Sequence, residues 1–83
     1  MALPADPQAL AEYVSEHMYN NDPASQALGA KLVQVAPGVA TMSMTVRADM
    51  LNGHKTCHGG FIFALADSTF AFACNSRNVP TVA

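Results

Sequence analysis

The stretch Asn52-Gly53-His54-Lys55-Thr56-Cys57-His58-Gly59-Gly60-Phe61-Ile62-Phe63-Ala64-Leu65-Ala66-Asp67-Ser68-Thr69-Phe70-Ala71-Phe72-Ala73-Cys74 decides how this sequence reads. Its second half is rich in small residues, which with Leu65 favour helix, and Asn75, Ser76, Asn78 and Pro80 stop it. The helix is apolar nearly all round, a pattern that predicts burial rather than a place on a surface. Two features interrupt it. Gly59 and Gly60 offer uncrowded backbone N–H groups at the helix start, where the dipole adds partial positive charge. Such a place suits an anion, or a carbonyl oxygen that becomes an oxyanion. Asp67 falls in the middle of the apolar run, and a buried unpaired carboxylate costs several kcal/mol. A chain that keeps one gives it a partner or a task.

Each feature also has a plainer structural reading. Paired glycines serve as a tight helix entry, and Asp67 with Ser68 and Thr69 could mark a solvated edge. His58 alone reads more simply as a loop or capping residue. Met42 and Met44 read as core, and Phe61, Phe63, Phe70 and Phe72 as packing. His54, Cys57 and His58 lack the paired spacing of a zinc site.

Working outward, the residues before this stretch predict a helix over 7–21 and a strand pair over 30–46. Asp6 can cap the helix and Pro7 suits its first position. Leu10, Tyr13, Val14, His17 and Met18 recur on one face, with Ala11, Glu12, Ser15 and Glu16 mostly on the other. Asn20-Asn21-Asp22-Pro23 ends it, and residues 24–29 read as a loop or short turn. In the strand pair, Pro37-Gly38 is a turn signal. A plain two-residue Pro-Gly loop suits hairpin twist poorly, which predicts a slightly longer connection. Ala40, Met42, Met44 and Val46 alternate toward a core. Residues 47–57 read as a polar loop, and residues 81–83 as the start of a further strand.

Composition narrows the class. The 83 residues carry a formal net charge of −2, with 12% charged and 51% hydrophobic residues. That excludes an acidic disordered tail and argues against a basic nucleic-acid surface. No apolar run is long enough to span a membrane, and the N-terminus has no signal-peptide pattern. A cytoplasmic protein follows as the expectation, with Cys57 and Cys74 as thiols rather than as a single disulfide. A chain this short and apolar is marginal alone. It needs a partner, or further residues of its domain.

The motif H-G-G-x5-A-D and the residues around it resemble the signature of the hotdog-fold acyl-CoA thioesterases. They are nearest to the phenylacetic-acid-degradation (hydroxyphenylacetyl-CoA thioesterase) branch. Helix, strand pair and motif helix occur in the same order in that family, so the resemblance runs through essentially all 83 residues. It implies an α+β hotdog fold, with a long central helix wrapped by a curved antiparallel sheet. It implies hydrolysis of small aryl-acyl CoA thioesters, with Asp67 as general base or nucleophile and the Gly59 N–H polarising the carbonyl. By the same resemblance His58 and Asn52 are polar positions near the thioester, and Ser68 is a hydroxyl beside the carboxylate. No metal or cofactor is implied; coenzyme A is part of the substrate, and its contacts cannot be assigned to residues of this chain. The resemblance also makes residues 1–83 the N-terminal part of a single domain of about 130–150 residues, truncated after its central helix. The part comprises the helix 7–21, the strand pair 30–46 and the loop and helix 52–76. Alone, it is expected to aggregate.

Spacing adds an independent inference. Gly59 and Asp67 are eight residues apart, which on one helix is roughly 12 Å. A general base acts within about 3 Å, or through one water. If both residues serve one thioester, Gly59 of one chain must face Asp67 of another. A homodimer or homotetramer with its site across the interface follows, with no nucleic acid or membrane as partner. Three other readings stay open: a non-catalytic acyl-CoA-binding hotdog domain, a hotdog enoyl-CoA hydratase or dehydratase using His58, and a structural dimerisation module.

Overall fold

A computed structural model describes residues 3–78. The order of elements is helix α1 (Pro7–Asn20), a short helix α2 (Pro23–Ala27), strands β1 (Lys31–Ala36) and β2 (Val39–Ser43), a 3-10 turn (Ala48–Met50) and helix α3 (Gly59–Asn75). The two strands form an antiparallel hairpin that packs on α3, and α1 packs on β1 and α3. The strand start expected at 81–83 and the stop at Pro80 lie outside the described residues.

The first two helices begin the same way. The Asp6 carboxylate accepts from the Ala9 N–H at 2.9 Å, with Pro7 next in the chain. The Asp22 carboxylate accepts from the Ser25 N–H at 3.0 Å, with Pro23 next. Residues 24–29, expected as a loop or turn, therefore belong in part to a helix. An aspartate followed by proline fills the cap and first helical positions at once. α1 stops at Asn20, one residue before the expected end, because Asn21 leaves helical geometry and its Nδ2 donates to the His17 carbonyl.

α1 faces inward differently from its expected orientation. Its buried residues are Ala11 and Ser15, while Tyr13 and His17 are exposed. Small side chains let the helix lie close to β1 and α3, and the larger residues splay to either side. Side-chain bonds hold this position: Gln8 Nε2 donates to the Val35 carbonyl at 2.8 Å, and the Tyr19 hydroxyl to the Ala30 carbonyl at 2.7 Å. Ser15 is fully buried, and its hydroxyl has no partner among the described residues. An orphaned buried hydroxyl is destabilising, and alanine is the better helix former. Ser15→Ala is therefore expected to stabilise the chain by about 1 kcal/mol, raising the thermal midpoint by about 4–8 °C. A lowered midpoint in circular-dichroism melting would show that the hydroxyl is satisfied in solution.

The hairpin corrects two expectations. Its loop is two residues after all, since Ala36 pairs with Val39. The twist mismatch of a Pro-Gly turn is met instead by a bulge at Val33, where the register shifts between Leu32 and Gln34. The turn is also pinned from outside. The Gly38 N–H donates to Ser76 Oγ at 2.6 Å, and Arg77 Nη2 donates to the Pro37 carbonyl at 3.3 Å. Gly38 has φ +77°, which favours glycine, and a Cβ there would come within 2.7 Å of the Arg77 guanidinium and push that side chain aside. The second correction concerns β2, which ends at Ser43 and leaves Val46 half exposed. The chain turns away there toward the 3-10 turn, where Arg47 donates to the Ala27 carbonyl at 3.0 Å.

Among the described residues, the buried apolar ones are Ala11, Ala30, Val35, Met50 and Phe72. That is a small interior, and the chain measures 49 × 19 × 18 Å, so much of its apolar surface stays outside. The expectation that α3 is buried all round is accordingly wrong for this chain. Phe72, Ser68 and Ser76 face inward or sideways, while Ile62 (55%), Phe63 (72%) and Phe70 (56%) are exposed. The hairpin, α1 and the short α2 cover only one side of a 17-residue helix.

Candidate active site

The N-terminus of α3 is the centre of the candidate site. An α-helix leaves its first four N–H groups without intrahelical partners. Here three are taken. The His58 N–H donates to the Met50 carbonyl at 2.7 Å, the Gly60 N–H to His58 Nδ1 at 3.1 Å and the Phe61 N–H to the His58 carbonyl at 3.0 Å. The Gly59 N–H has no partner among the described residues. It is exposed at the positive end of a helix with no acidic residue in its first turn. The expectation of two free N–H groups thus reduces to one, because the His58 side chain caps the other.

That cap assigns the imidazole. An Nδ1 that accepts from a backbone N–H belongs to the neutral ring with its proton on Nε2. The ring is steadied edge-on against Phe61, at a centroid distance of 6.4 Å. His58 therefore presents an N–H donor outward, and its accepting nitrogen is engaged in the fold.

The loop entering α3 is closed by a short antiparallel bridge, Leu51 opposite Cys57, extended by the His58 N–H to the Met50 carbonyl at 2.7 Å. Asn52 organises its tip. Asn52 Oδ1 accepts from the His54 N–H, the Thr56 N–H and the Thr56 hydroxyl at 2.9, 3.2 and 3.1 Å. Its Nδ2 group has no partner among the described residues. Met50, fully buried beneath this loop, is a core residue that the polar reading of 47–57 missed.

Asp67 is exposed, with no hydrogen bond or ion pair among the described residues. The expectation of a buried carboxylate is therefore corrected: the residue points away from the hairpin, on the uncovered side of α3. Successive residues turn by about 100°, so Gly59, Phe63, Asp67 and Phe70 share that side, and all four are exposed. Within one chain the Gly59 N–H and the Asp67 carboxylate stay roughly 12 Å apart along the axis. Ser68 points elsewhere. Its hydroxyl lies 3.0 Å from Ser25 Oγ, which itself donates to the Asp22 carboxylate at 2.5 Å. With the Ser25 proton committed to Asp22, Ser68 must be the donor to Ser25. The structure thus joins Ser68 to α2 rather than to Asp67.

No family profile matches the chain. Over 66 residues it is 52% identical to the acyl-coenzyme A thioesterase PaaI of Escherichia coli K12, covering 80% of this chain and 47% of that one. A solved structure of E. coli PaaI, from the phenylacetic acid degradation operon, superposes with a TM-score of 0.85 at 46% identity over 87% of this chain and 52% of that chain. The chain is homologous to PaaI. A mutant of the phenylacetic acid degradation protein PaaI from Thermus thermophilus matches with a TM-score of 0.67 and 53% identity, over 70% of this chain and 50% of that one. The homologue described here therefore has the hotdog fold, represented by its long helix and two-stranded sheet, and spans about half the length of the relatives it matches. None of its helices among residues 3–78 is long and apolar enough to cross a membrane.

Of the predicted site residues, His58 and Gly59 stand where the loop enters α3, and Asn52 stands further out, across from Thr56 near the loop tip. Asp67 stands two turns further along the same side of α3, and Ser68 stands apart. Sequence reasoning missed the Asp22–Ser25 pair that receives Ser68. The signal was present, since Asp22-Pro23 repeats the Asp6-Pro7 pattern.

Proposed function

We propose that this chain carries part of the active site of an acyl-CoA thioesterase acting on small aryl-acyl thioesters of the phenylacetyl or hydroxyphenylacetyl type. The observation that carries the reading is the helix-start N–H at Gly59, unpartnered among the described residues, on the same exposed side of α3 as the Asp67 carboxylate, likewise unpartnered among them. The Gly59 N–H, aided by the helix dipole, donates to the thioester oxygen as negative charge develops on it. Asp67 either takes a proton from the attacking water or attacks the carbonyl carbon itself. In both routes the C–S bond breaks, coenzyme A leaves as the thiol, and water ends in the acid product.

Geometry supports a shared site. One helix cannot bring Gly59 and Asp67 to the same carbonyl, whereas two antiparallel copies can. The exposed Ile62, Phe63 and Phe70 give that second copy an apolar face to cover. Homodimer or homotetramer is the assembly proposed, working in the cytoplasm. His58 supports hydrolysis over hydration, because a dehydratase-type base needs a free accepting nitrogen and Nδ1 is engaged at Gly60.

The test is a hydrolysis assay over a panel of aryl-acyl and straight-chain CoA thioesters, with the oligomeric state fixed by sedimentation. Aryl-acyl turnover confined to dimeric or larger species is the expected result. Tight thioester binding without turnover, or equal turnover by monomer, overturns the proposal.

A further inference from the structure

We propose that Phe63, with the Phe63 of a second copy, is the residue that selects an aryl over an alkyl acyl group. The inference deepens the thioesterase reading and rests on it. A two-fold interface is self-complementary, so if one residue meets a second, the second meets the first. With Gly59 of each copy against Asp67 of the other, the two-fold axis crosses α3 midway between them. Phe63 is that midpoint, four residues after Gly59 and four before Asp67. It therefore stands opposite its own copy. Its heading is also the required one, because Gly59, Phe63 and Asp67 share the exposed side of α3. Phe63 is more exposed there than Ile62 or Phe70. Packed helices lie about 8–10 Å apart, close enough for two rings at one level to meet.

The consequence for a bound thioester is directional. Its carbonyl lies between Gly59 of one copy and Asp67 of the other. One turn toward the axis, roughly 6 Å along α3, both helices present Phe63, so two rings converge on that side. On the other side stand the polar loop 52–57 of one copy and Phe70 of the other. A coenzyme A thioester has one apolar end and one polar, phosphate-bearing end. The apolar acyl end is the one that the ring pair takes. Aromatic rings hold one another offset or edge-on, a contact that a straight alkyl chain does not make. The space is short as well. Beyond the axis the symmetric site begins, so each acyl group has roughly 6 Å of depth along α3. That depth takes one ring and turns away a long chain.

The experiment measures the ratio of kcat/KM for phenylacetyl-CoA to that for hexanoyl-CoA in the assembled protein. Phe63→Leu removes the ring and keeps an apolar side chain. Phe70→Leu does the same on the far side of the carbonyl. Phe63→Cys, in a Cys57→Ser and Cys74→Ser background, tests the register, since facing residues at this spacing can close a disulfide. Phe63→Leu is expected to lower the ratio about tenfold, the size of an aromatic contact, and Phe70→Leu to leave it within about twofold. Phe63→Cys is expected to give a covalent dimer on mild oxidation. An unchanged ratio in assembled Phe63→Leu overturns the proposal, and so does an equal fall in both leucine variants. No covalent dimer from Phe63→Cys overturns it too. If Phe63→Leu does not assemble, the ratio is read in the cross-linked Phe63→Cys dimer, which lacks the ring and is held together by its disulfide, against its own background. If wild type hydrolyses no thioester, the thioesterase reading fails by itself. The ratio of dissociation constants for the same two thioesters, by calorimetry, then replaces the kinetic one, and the proposal falls if loss of the ring leaves it unchanged or if neither thioester binds.

Discussion

Asp67→Asn is expected to reduce thioester hydrolysis by about 10²–10⁴-fold, the range for removing a positioned acid–base group. The change is nearly isosteric and removes the charge. Because Asp67 is exposed and unpartnered among the described residues, no intrachain contact is lost, and a surface change of this kind moves stability by at most about 0.5 kcal/mol. The measurement is kcat/KM with a matched melting curve. Undiminished turnover would remove Asp67 from the chemistry. A single turnover in heavy-oxygen water separates the two routes. When water opens an acyl–Asp67 anhydride at the Asp67 carboxyl carbon, the label enters Asp67 in that turnover and the acid leaves unlabelled, whereas a carboxylate that activates water never carries the label and the acid takes it.

Gly59→Pro is expected to cost about 10²–10³ in kcat, the size of one lost oxyanion donor. Deleting a backbone N–H is seldom possible without harm, but this position allows it. Gly59 is the first residue of α3, where proline is favoured. The preceding His58 already has the extended backbone, φ −61° and ψ 134°, that a following proline requires. The Gly59 N–H has no role in holding the fold, since the other three helix-start groups are the ones engaged. Gly59→Ala is the steric comparator. It keeps the N–H and places a Cβ where nothing lies within 4 Å. The rate difference between the two variants isolates the donor from the bulk. Equal rates would mean that the oxyanion is held elsewhere.

Much of this architecture could be read from residue order because local chemistry decides it. Asp6 and Pro7 start α1, Pro37-Gly38 turns the hairpin, and the alanine-rich run after Gly60 makes α3. The misreadings share a cause: periodicity reports which faces are apolar, not how much partner surface exists to cover them. Tyr13 and His17 share a face of α1 with Leu10 and Val14, yet the small Ala11 and Ser15 take the interior. Asp67 looked buried because its neighbours are apolar, and several of those neighbours are themselves exposed. The site was legible as residue types at a spacing. The engagement of Gly60 by His58, of Asn52 by Thr56 and of Ser68 by Ser25 depends on side-chain directions that spacing does not encode.

The chain of hydroxyls from Asp22 through Ser25 to Ser68 bears on more than the packing of α2. A smooth helix lying on a hairpin can roll about its own axis with little loss of apolar contact. Adjacent residues differ in heading by about 100°. Tying Ser68 to a fixed carboxylate therefore sets the rotational phase of α3, and with it the heading of Asp67 one residue earlier. The helix is keyed like a shaft, with its carboxylate turned outward before any substrate or second copy arrives.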